Sequence, residues 1–347
     1  MKKNKNLLFI TQKVDENDQL LGFSMGWLRR LAENFPRIIV LCLEKGEFIL
    51  PENVTVINLG KNEGASKPEQ LFNFYKNIWR LRKDYDAVFV FMNAIWIVIG
   101  AWFWKIFRKK IYFWYAHKTI QWKHRLAEKL VDGVFTSTPE GFRIKSKKTR
   151  IIGQGIDTDM FKPAAGGREQ GAKLKILSVG RIAPIKNYET LLKAAAILNG
   201  KGVDFFLTII GEPVFPKDFE YEKRLQKQIS ETGLESRIAF LGKVPHKNLP
   251  AFYQSHRVFV NLGKTGSLDK TILEAMACGM AVISSNEAAV KFLPSELVTN
   301  GDNPENLAEK IEKASRQDVG EQLRRYVLEN HSLDNLSEEI GFFINNQ

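Results

Sequence analysis

The stretch LKILSVGRIAPIKNYETLLKAAAIL, residues 174–198, joins an apolar run to a helical pattern through a short polar loop. This order predicts a β-strand, a connecting loop and an α-helix that begins near Asn187 or Tyr188. The loop contains Arg181 and Lys186, between the carboxyl end of the strand and the N-terminus of the helix. Two cations and a helix dipole suit a diphosphate, because all three attract the same anion. Solvated loop cations are the alternative interpretation.

The same alternation of apolar runs with helical patterns extends outward over nearly all 347 residues. It is typical of parallel sheets with helices on both faces. Because the chain is too long for one ordinary α/β core, we predict an α/β fold with two Rossmann-like, doubly wound domains. These domains are expected to face a central cleft, since open α/β sheets bind ligands at the carboxyl ends of their strands.

A segment rich in Gly, Ala and charge, PAAGGREQGAK, separates the two halves. It has little to bury, so it predicts an exposed linker over residues 163–173. We therefore expect an N-terminal domain over residues 1–162 and a C-terminal domain over residues 174–329. Residues 330–347 are predicted to form a final helix.

A second polar loop, GKTGSLDK, follows a predicted strand over residues 258–262. Two glycines in this loop allow backbone amides to approach a ligand closely. A helix is expected over residues 270–278, with Ser267 or Asp269 as its cap and Gly279 at its end.

Glu274 lies about one turn inside that helix, among the apolar residues of LEAMA. An exposed helix glutamate is the alternative, but a carboxylate in apolar surroundings needs a hydrogen-bonding partner. Ribose hydroxyls can donate to a carboxylate, so Glu274 is a candidate for binding the ribose of a nucleotide.

The net charge of +12 is concentrated in the first half of the chain. Residues 1–160 carry 27 Lys or Arg against 16 Asp or Glu, whereas residues 161–347 carry 24 against 23. Residues 105–150 alone hold 13 basic and three acidic side chains. The aromatic residues in and beside this segment are Trp104, Phe107, Trp114 and Trp122. This asymmetry suggests an anionic membrane surface, a phosphorylated acceptor or nucleic acid as partner, with a merely basic surface as the alternative.

The stretch AVFVFMNAIWIVIGAWFWKIF, residues 87–107, contains one charge, Lys105, and is hydrophobic enough to suggest a membrane span. Asn93 divides it into a strand-like half and an aromatic helical half. We therefore predict a buried strand followed by an apolar helix. If that helix is partly exposed, the cations at 108–110 would make it a surface membrane contact.

Cys42 and Cys278 lie in apolar runs without metal-ligand or disulfide spacing, which fits a reducing cytoplasm. The basic N-terminus precedes an apolar run too short for a signal-peptide core. We predict that this N-terminal stretch forms the first β-strand. We expect a cytoplasmic protein, with the inner face of the membrane as a second option.

The motifs VGRIAPIKNYETLLKA, LTIIGE, RIAFLGKVPHKNLPAFYQSHRVFVNLG and LEAMACGMAVISSN together resemble the retaining glycosyltransferases of family 4, which carry the "glycosyl transferases group 1" domain. The resemblance covers residues 174 to about 315, and more loosely the first half through YAHK and IIGQGIDTDMFKP. It implies a GT-B fold, with an acceptor-binding first domain, a donor-binding second domain and a last helix that packs back on the first.

The resemblance also assigns roles by position. Arg181 and Lys186 correspond to the family's pair on the donor diphosphate, Glu274 to the carboxylate on the ribose, and the loop near Val244 to the backbone that meets the base. In the first half, His117 ends KIYFWYAH and matches a histidine near the reactive carbon of the sugar. A structural histidine is the alternative.

Gly22 lies where the family has its glycine-rich first loop, although the paired glycines are missing.

One position departs from the family pattern. The first glutamate of the usual Glu-x7-Glu pair would fall at Gly266, and Asp269 is the nearest acidic substitute. The loop can instead offer the amides of Ser267, Leu268 and Asp269 to the sugar, with Lys270 adding to the diphosphate site. The sequence therefore does not determine the identity of the donor sugar.

The resemblance implies transfer of a hexose-type sugar from a UDP- or GDP-sugar to a glycan or lipid-linked acceptor with retention of configuration. We expect no metal and no other cofactor, since Arg181, Lys186 and a helix N-terminus can stabilise the leaving phosphate. Cell-surface polysaccharide or glycolipid synthesis fits such a reaction. We also expect peripheral contact with an anionic membrane through the basic and aromatic first domain, and no nucleic acid partner.

Two other classes stay open. A non-hydrolysing sugar-nucleotide epimerase shares the architecture but would need acid/base carboxylates that the sequence does not reveal. A non-catalytic, basic membrane- or nucleic-acid-binding protein would not need the motifs of the less charged second half. A dinucleotide oxidoreductase is disfavoured because no GxGxxG follows the first strand.

Overall fold

The computed structural model describes residues 4–18, 21–166 and 173–347. They form two compact units. The first comprises Met1–Gly155, Pro245–Lys247 and His331–Gln347, and the second comprises Ile156–Val244 and Asn248–Asn330. The domain bounds drawn from the sequence stay a prediction, and residues 167–172 of the predicted linker lie outside the described residues.

Each unit contains one parallel sheet. The strands of the first unit are β1 Leu7–Val14, β2 Ile38–Lys45, β3 Val54–Asn58, β4 Ala87–Phe91, β5 Lys110–Trp114, β6 Gly133–Thr136 and β7 Thr149–Ile151. Those of the second are β8 Leu174–Val179, β9 Phe205–Ile210, β10 Ile238–Phe240, β11 Val258–Asn261 and β12 Ala281–Ser284. The strand orders are β3-β2-β1-β4-β5-β6-β7 and β10-β9-β8-β11-β12. Both orders place the first strand of the sheet centrally, which is the doubly wound arrangement.

Helices follow most strands and cover both faces of each sheet. They are α1 Ser24–Ala32, α2 Lys67–Arg80, α3 Ile95–Ile106, α4 Trp122–Leu130, α5 Tyr188–Gly200, α6 Pro216–Glu231, α7 Leu249–Ser255, α8 Lys270–Ala277, α9 Pro304–Ala314, α10 Gly320–His331 and α11 Leu333–Asn346. The central strands are buried on both sides, and so their sequences are continuous apolar runs rather than alternating ones.

The first sheet separates two apolar clusters. Phe9 and Phe89 point to the cluster that contains α1 and α11, whereas Leu8 and Val88 point to the cluster that contains α3. Within this unit α11 lies on α1, and the side chain of Asn345 accepts a hydrogen bond from the backbone N–H of Lys5 at 2.9 Å.

The strongly apolar stretch 87–107 forms β4 and then α3, as the sequence predicts. No helix among the described residues is long and apolar enough to cross a membrane. Of the aromatic residues in and beside the basic segment 105–150, Trp104 and Trp114 are almost completely buried against the two faces of the sheet. Trp122 is exposed.

Candidate functional site

The candidate site lies at the carboxyl edge of the second sheet, where the strand order reverses. From the central strand β8, the next strands in sequence, β9 and β10, lie on one side of the sheet. The following strands, β11 and β12, lie on the other side of β8. The loops after β8 and β11 therefore leave the sheet in opposite directions and border a crevice, the usual ligand position in open α/β sheets. Arg181 and Lys186 follow β8, and the loop 262–269 follows β11.

These two loops are tied together around a mostly buried ion pair. The Nζ of Lys186 contacts the carboxylate of Asp269. The other donors to this carboxylate are the Nδ2 of Asn261 and the Oγ1 of Thr265, each at 3.0 Å. In addition, the backbone N–H of Lys264 donates to the carbonyl of Ile185 at 3.1 Å. Lys186 is thus held in one orientation by groups on the neighbouring strand.

Asp269 occupies the N-cap position of α8, but its side chain does not cap the helix. The expectation that Ser267 or Asp269 caps α8 is therefore wrong, because the carboxylate of Asp269 binds Lys186, Asn261 and Thr265 instead. The helix itself begins and ends where predicted, and Gly279 follows it with φ 72°.

Arg181 is held by residues of a different loop, which sequence reasoning missed. Its Nε lies 3.6 Å from Oδ2 of Asp218, which is fully buried, and its guanidinium lies 5.1 Å from the centre of the Phe215 ring. The same Oδ2 accepts backbone N–H groups of Val214 and Phe215 at the start of α6. The available signal was Asp218 at the third position of a helix that begins with Pro216.

Glu274 is buried in α8 and accepts a hydrogen bond from a tyrosine. The hydroxyl of Tyr253 donates to Oε2 of Glu274 at 2.9 Å. Burial raises the pKa of Tyr253 well above its ordinary value, and the charge of Glu274 adds to the effect, so this hydroxyl stays protonated. The sequence predicted that Glu274 needs a partner but did not find Tyr253.

Lys270 lies one helical turn before Glu274 and is half-buried. Burial lowers the pKa of Lys270 to about 7, although the nearby charge of Glu274 acts in the opposite direction. An added anion would favour the charged form of Lys270.

The loop between β11 and α8 is also held by its backbone conformation and by a second asparagine, Asn286. Gly266 has φ 68°, a left-handed conformation that favours glycine. The Nδ2 of Asn286 donates to the carbonyl of Ser267 at 2.9 Å, and Leu268 is buried in the core of the second unit. The glycine that replaces the expected glutamate therefore has a conformational reason.

Residues 165–332 match the family model described as "Glycosyl transferases group 1". The chain carries a glycosyl transferases group 1 domain. The mannosylfructose-phosphate synthase of Agrobacterium fabrum is 25% identical over 182 residues, which cover 46% of this chain and 40% of that protein. The lipopolysaccharide core biosynthesis mannosyltransferase LpsB of Rhizobium meliloti is 29% identical over 158 residues, covering 44% and 43%. The chain therefore spans less than half the length of these curated relatives.

Solved structures match over nearly the whole chain. HepE of Anabaena in complex with UDP and glucose superposes with a TM-score of 0.78 at 18% identity, covering 98% of this chain and 99% of that one. The sucrose-phosphate synthase of Thermosynechococcus elongatus also gives 0.78 at 18% identity, covering 99% and 98%. The predicted α/β class and GT-B fold are thus confirmed.

Three glycines line the carboxyl edge of the group 1 domain, one after each of β8, β9 and β10. The backbone N–H of Gly211 donates to the carbonyl of Gly242 at 2.9 Å. A Cβ at Gly211, whose φ is 144°, would lie 2.0 Å from the carbonyl oxygen of Gly180. Val244 follows on the same edge, half-buried against the core of the group 1 domain. Sequence reasoning missed Gly211, because its constraint comes from a strand 31 residues away.

The two candidate residues of the first unit lie outside the group 1 domain. His117 follows β5, and its Nδ1 accepts the backbone N–H of Thr119 at 3.1 Å, so the neutral ring carries its proton on Nε2. Gly22 precedes α1, and a Cβ there would lie 2.4 Å from the carbonyl oxygen of Asp18. Close backbone packing therefore explains the glycine at this position.

Among the described residues, no group of three or more His, Cys, Asp or Glu could hold a metal ion. Asp157 and Asp159 have the Asp-x-Asp spacing of many metal sites. In the structure the carboxylate of Asp157 accepts backbone N–H groups of Asp159 and Met160 and so stabilises a turn.

Proposed function

We propose that this protein is a retaining hexosyltransferase that moves a sugar from a UDP- or GDP-sugar to a glycan or lipid-linked acceptor, in cell-surface polysaccharide or glycolipid synthesis. The observation that carries the proposal is the pairing of Lys186, which follows the same strand as Arg181, with Asp269 of the loop 262–269 at the point where the strand order reverses. The named relatives include a mannosyltransferase, and HepE binds UDP and glucose, which supports this choice.

The proposed chemistry needs a place for negative charge. As the bond to the sugar breaks, the diphosphate gains charge while the sugar carbon becomes cation-like. Arg181 and Lys186 would stabilise that charge without a metal, and the carboxylates of Asp218 and Asp269 hold both cations in place beforehand. Such pre-oriented charges need little rearrangement during the reaction.

The remaining contacts with the proposed donor come from the loop 262–269 and from α8. Glu274 would accept ribose hydroxyls in addition to the hydroxyl of Tyr253, and Lys270 would add to the diphosphate site. Because the carboxylate of Asp269 is already held by three donors, the loop would present backbone amides of residues 266–269, rather than this side chain, to the sugar. The roles of Val244 at the base, and of Gly22 and His117 at the sugar, rest on the family resemblance.

A donor screen tests the proposal. Thermal unfolding is measured with UDP, GDP, ADP and their sugars, and a ligand present at a hundredfold excess over its Kd stabilises the native state by about 2.7 kcal/mol. Positive donors are then assayed for transfer to lipid-linked and glycan acceptors, with the anomeric configuration of the product determined by NMR. We expect one nucleotide class to stabilise the protein and its sugar to be transferred with retention.

Matched variants connect that result to the site. Lys186→Met should lower kcat/KM by about a hundredfold or more. Lys264→Met removes a nearby exposed cation that pairs with Asp302 at 2.7 Å, and it should change kcat/KM less than threefold. Conversion of the donor into another nucleotide sugar without acceptor would instead identify an epimerase. Absence of both nucleotide binding and turnover, together with tight RNA binding, would refute an enzymatic role.

A further inference from the structure

The first unit exposes a row of large apolar side chains on α2 and α3. These two helices are packed together, since the hydroxyl of Tyr75 donates to the carbonyl of Ile99 at 2.9 Å and the ring of Trp79 lies 6.0 Å from that of Phe103. The exposed fractions of the row are 68% for Phe72, 55% for Trp79, 56% for Trp102 and 66% for Ile106. We call these four residues, with their exposed neighbours, the α2–α3 face.

The exposed residues belong to one continuous surface. Phe72 and Trp79 are seven residues apart on α2, and Trp102 and Ile106 are four apart on α3, so each pair lies on one side of its helix. Tyr75 connects the two pairs, because its ring lies 6.1 Å from that of Trp102. A contiguous apolar surface of this kind marks an interaction site more often than scattered single residues do.

Cations surround this surface, and acidic residues are scarce on it. Within α2 and α3 the basic residues are Lys67, Lys76, Arg80 and Lys105, and the one acidic residue, Glu69, forms the capping box at the start of α2. The guanidinium of Arg82 lies 4.5 Å from the centre of the Trp79 ring. Exposed tryptophan with basic neighbours is the composition that places a protein surface at a lipid headgroup layer.

The cations that the sequence suggested beside α3 are only partly available. Lys109 turns inward to the carbonyl of Tyr85, and Lys110 pairs with Asp132 at 3.1 Å, whereas Arg108 is exposed. Lys105 also lies within the basic segment 105–150. The basic residues of α2 add charge from outside that segment.

We propose that the α2–α3 face binds the surface of an anionic lipid bilayer, with Phe72, Trp79, Trp102 and Ile106 in the headgroup region and the basic residues against lipid phosphates. The helix α3 has 12 residues and a length of about 18 Å, so it lies along the surface instead of crossing a hydrocarbon core of about 30 Å. A second copy of the chain fits less well, because two-fold pairing would bring the same basic face against itself.

The proposal does not depend on the proposed sugar transfer, and so it is tested without nucleotide or acceptor. The full-length protein is floated with vesicles of phosphatidylcholine alone or with about 30% phosphatidylglycerol, at about 0.1 M salt. We expect binding to the anionic vesicles at least tenfold stronger than to neutral ones. Quenching of tryptophan fluorescence by brominated lipids should accompany it.

Two double variants and a control locate the contact. Phe72→Ser with Ile106→Ser should weaken vesicle binding at least tenfold, and Lys76→Glu with Lys105→Glu should do the same, since each cation contributes about fivefold. Phe342→Ser is the matched control, because Phe342 is as exposed but lies on α11. It should bind like the unmodified protein, and thermal unfolding of every variant confirms that it folds.

Three results would overturn the proposal. The first is equal vesicle binding by the double variants and the unmodified protein, and the second is equal binding to neutral and anionic vesicles. The third is absence of vesicle binding together with concentration-dependent self-association that the Phe72→Ser, Ile106→Ser variant abolishes. That last result would assign the face to contacts between copies.

Discussion

The carboxyl edge of the second sheet and the α2–α3 face of the first unit both concentrate cations, but they hold them differently. At the second sheet, Lys186 and Arg181 each have a carboxylate partner of low exposure, Asp269 and Asp218. On the α2–α3 face the basic side chains lie beside exposed aromatic rings, with Glu69 as the one acid in the two helices. Fixed charges suit one small anion in one orientation, whereas cations spread over an exposed apolar surface suit an extended anionic surface.

The largest effect is expected from the backbone beneath the second site. Gly211→Ala places a Cβ where it meets the carbonyl of Gly180, so the loop that carries Arg181 must shift. We expect a loss of about 3 kcal/mol in the free energy of unfolding, measured with urea. Gly202→Ala is the control, since Gly202 also has positive φ but nothing within 4 Å, and about 1 kcal/mol is expected. Equal losses would show that strain alone, not contact between the strand ends, requires Gly211.

The next largest effect tests the fixed orientation of Lys186. Asp269→Asn removes the charge that holds Lys186 while leaving a side chain of the same size. We expect kcat/KM to fall about thirtyfold and stability to fall by about 1–3 kcal/mol. Asp302→Asn removes the exposed partner of Lys264 and should change stability by less than about 0.5 kcal/mol. Unchanged kcat/KM in Asp269→Asn would mean that the pairing does not orient Lys186.

A smaller, pH-dependent effect is expected at Lys270. Its pKa is lowered from 10.5 to about 7 by burial, so the charged form that binds a diphosphate is lost as the pH rises through 7. Nucleotide affinity, measured by calorimetry, should fall about tenfold more between about pH 6.5 and 8 in the unmodified protein than in Lys270→Met. Parallel pH profiles would exclude Lys270 from binding.

The same shift has the opposite consequence for stability. Since the unfolded state holds the proton more tightly than the folded state, this group makes the protein more stable as the pH rises from 7 toward 10.5. Lys270→Met should therefore be more stable at neutral pH and lack that rise. Urea unfolding at about pH 7 and 9 compares the two proteins.

The smallest effect belongs to the α2–α3 face. Ile106→Ser should change the free energy of unfolding by less than about 0.5 kcal/mol, because Ile106 is exposed. Ile97→Ser, on the buried side of the same helix, should cost about 3 kcal/mol or more. If both cost the same, α3 is packed on all sides in solution and the face is not available to a partner.

The sequence predicted the strands and helices that have a clear hydrophobicity pattern within one segment. Most strands and helices, and the break of residues 87–107 into β4 and α3, follow from apolar runs and helical spacing that a single segment displays. The short strand β3 was not predicted, because it is a half-buried edge strand with mixed polarity. An apolar run reveals a strand that is buried on both faces more easily than it reveals a half-buried edge strand.

Contacts between distant segments were out of reach. Arg181 and Asp218 are 37 residues apart, and Tyr253 and Glu274 are 21 apart, so neither pairing leaves a local signal. The spacing of apolar residues along α3 does not show whether Trp102 or Trp104 faces the sheet, because that depends on how α3 packs in the folded unit.

The carboxylates beside Lys186 and Arg181 also affect which anions this site binds. A cation that carries its own counter-ion projects little field into solution, so inorganic phosphate and other simple anions gain little by entering. A ligand must supply more than charge: it has to make several contacts at once before it competes with Asp269 and Asp218 for their cations. We therefore expect weak competition by salt at this edge, and selection of ligands by shape as well as by charge.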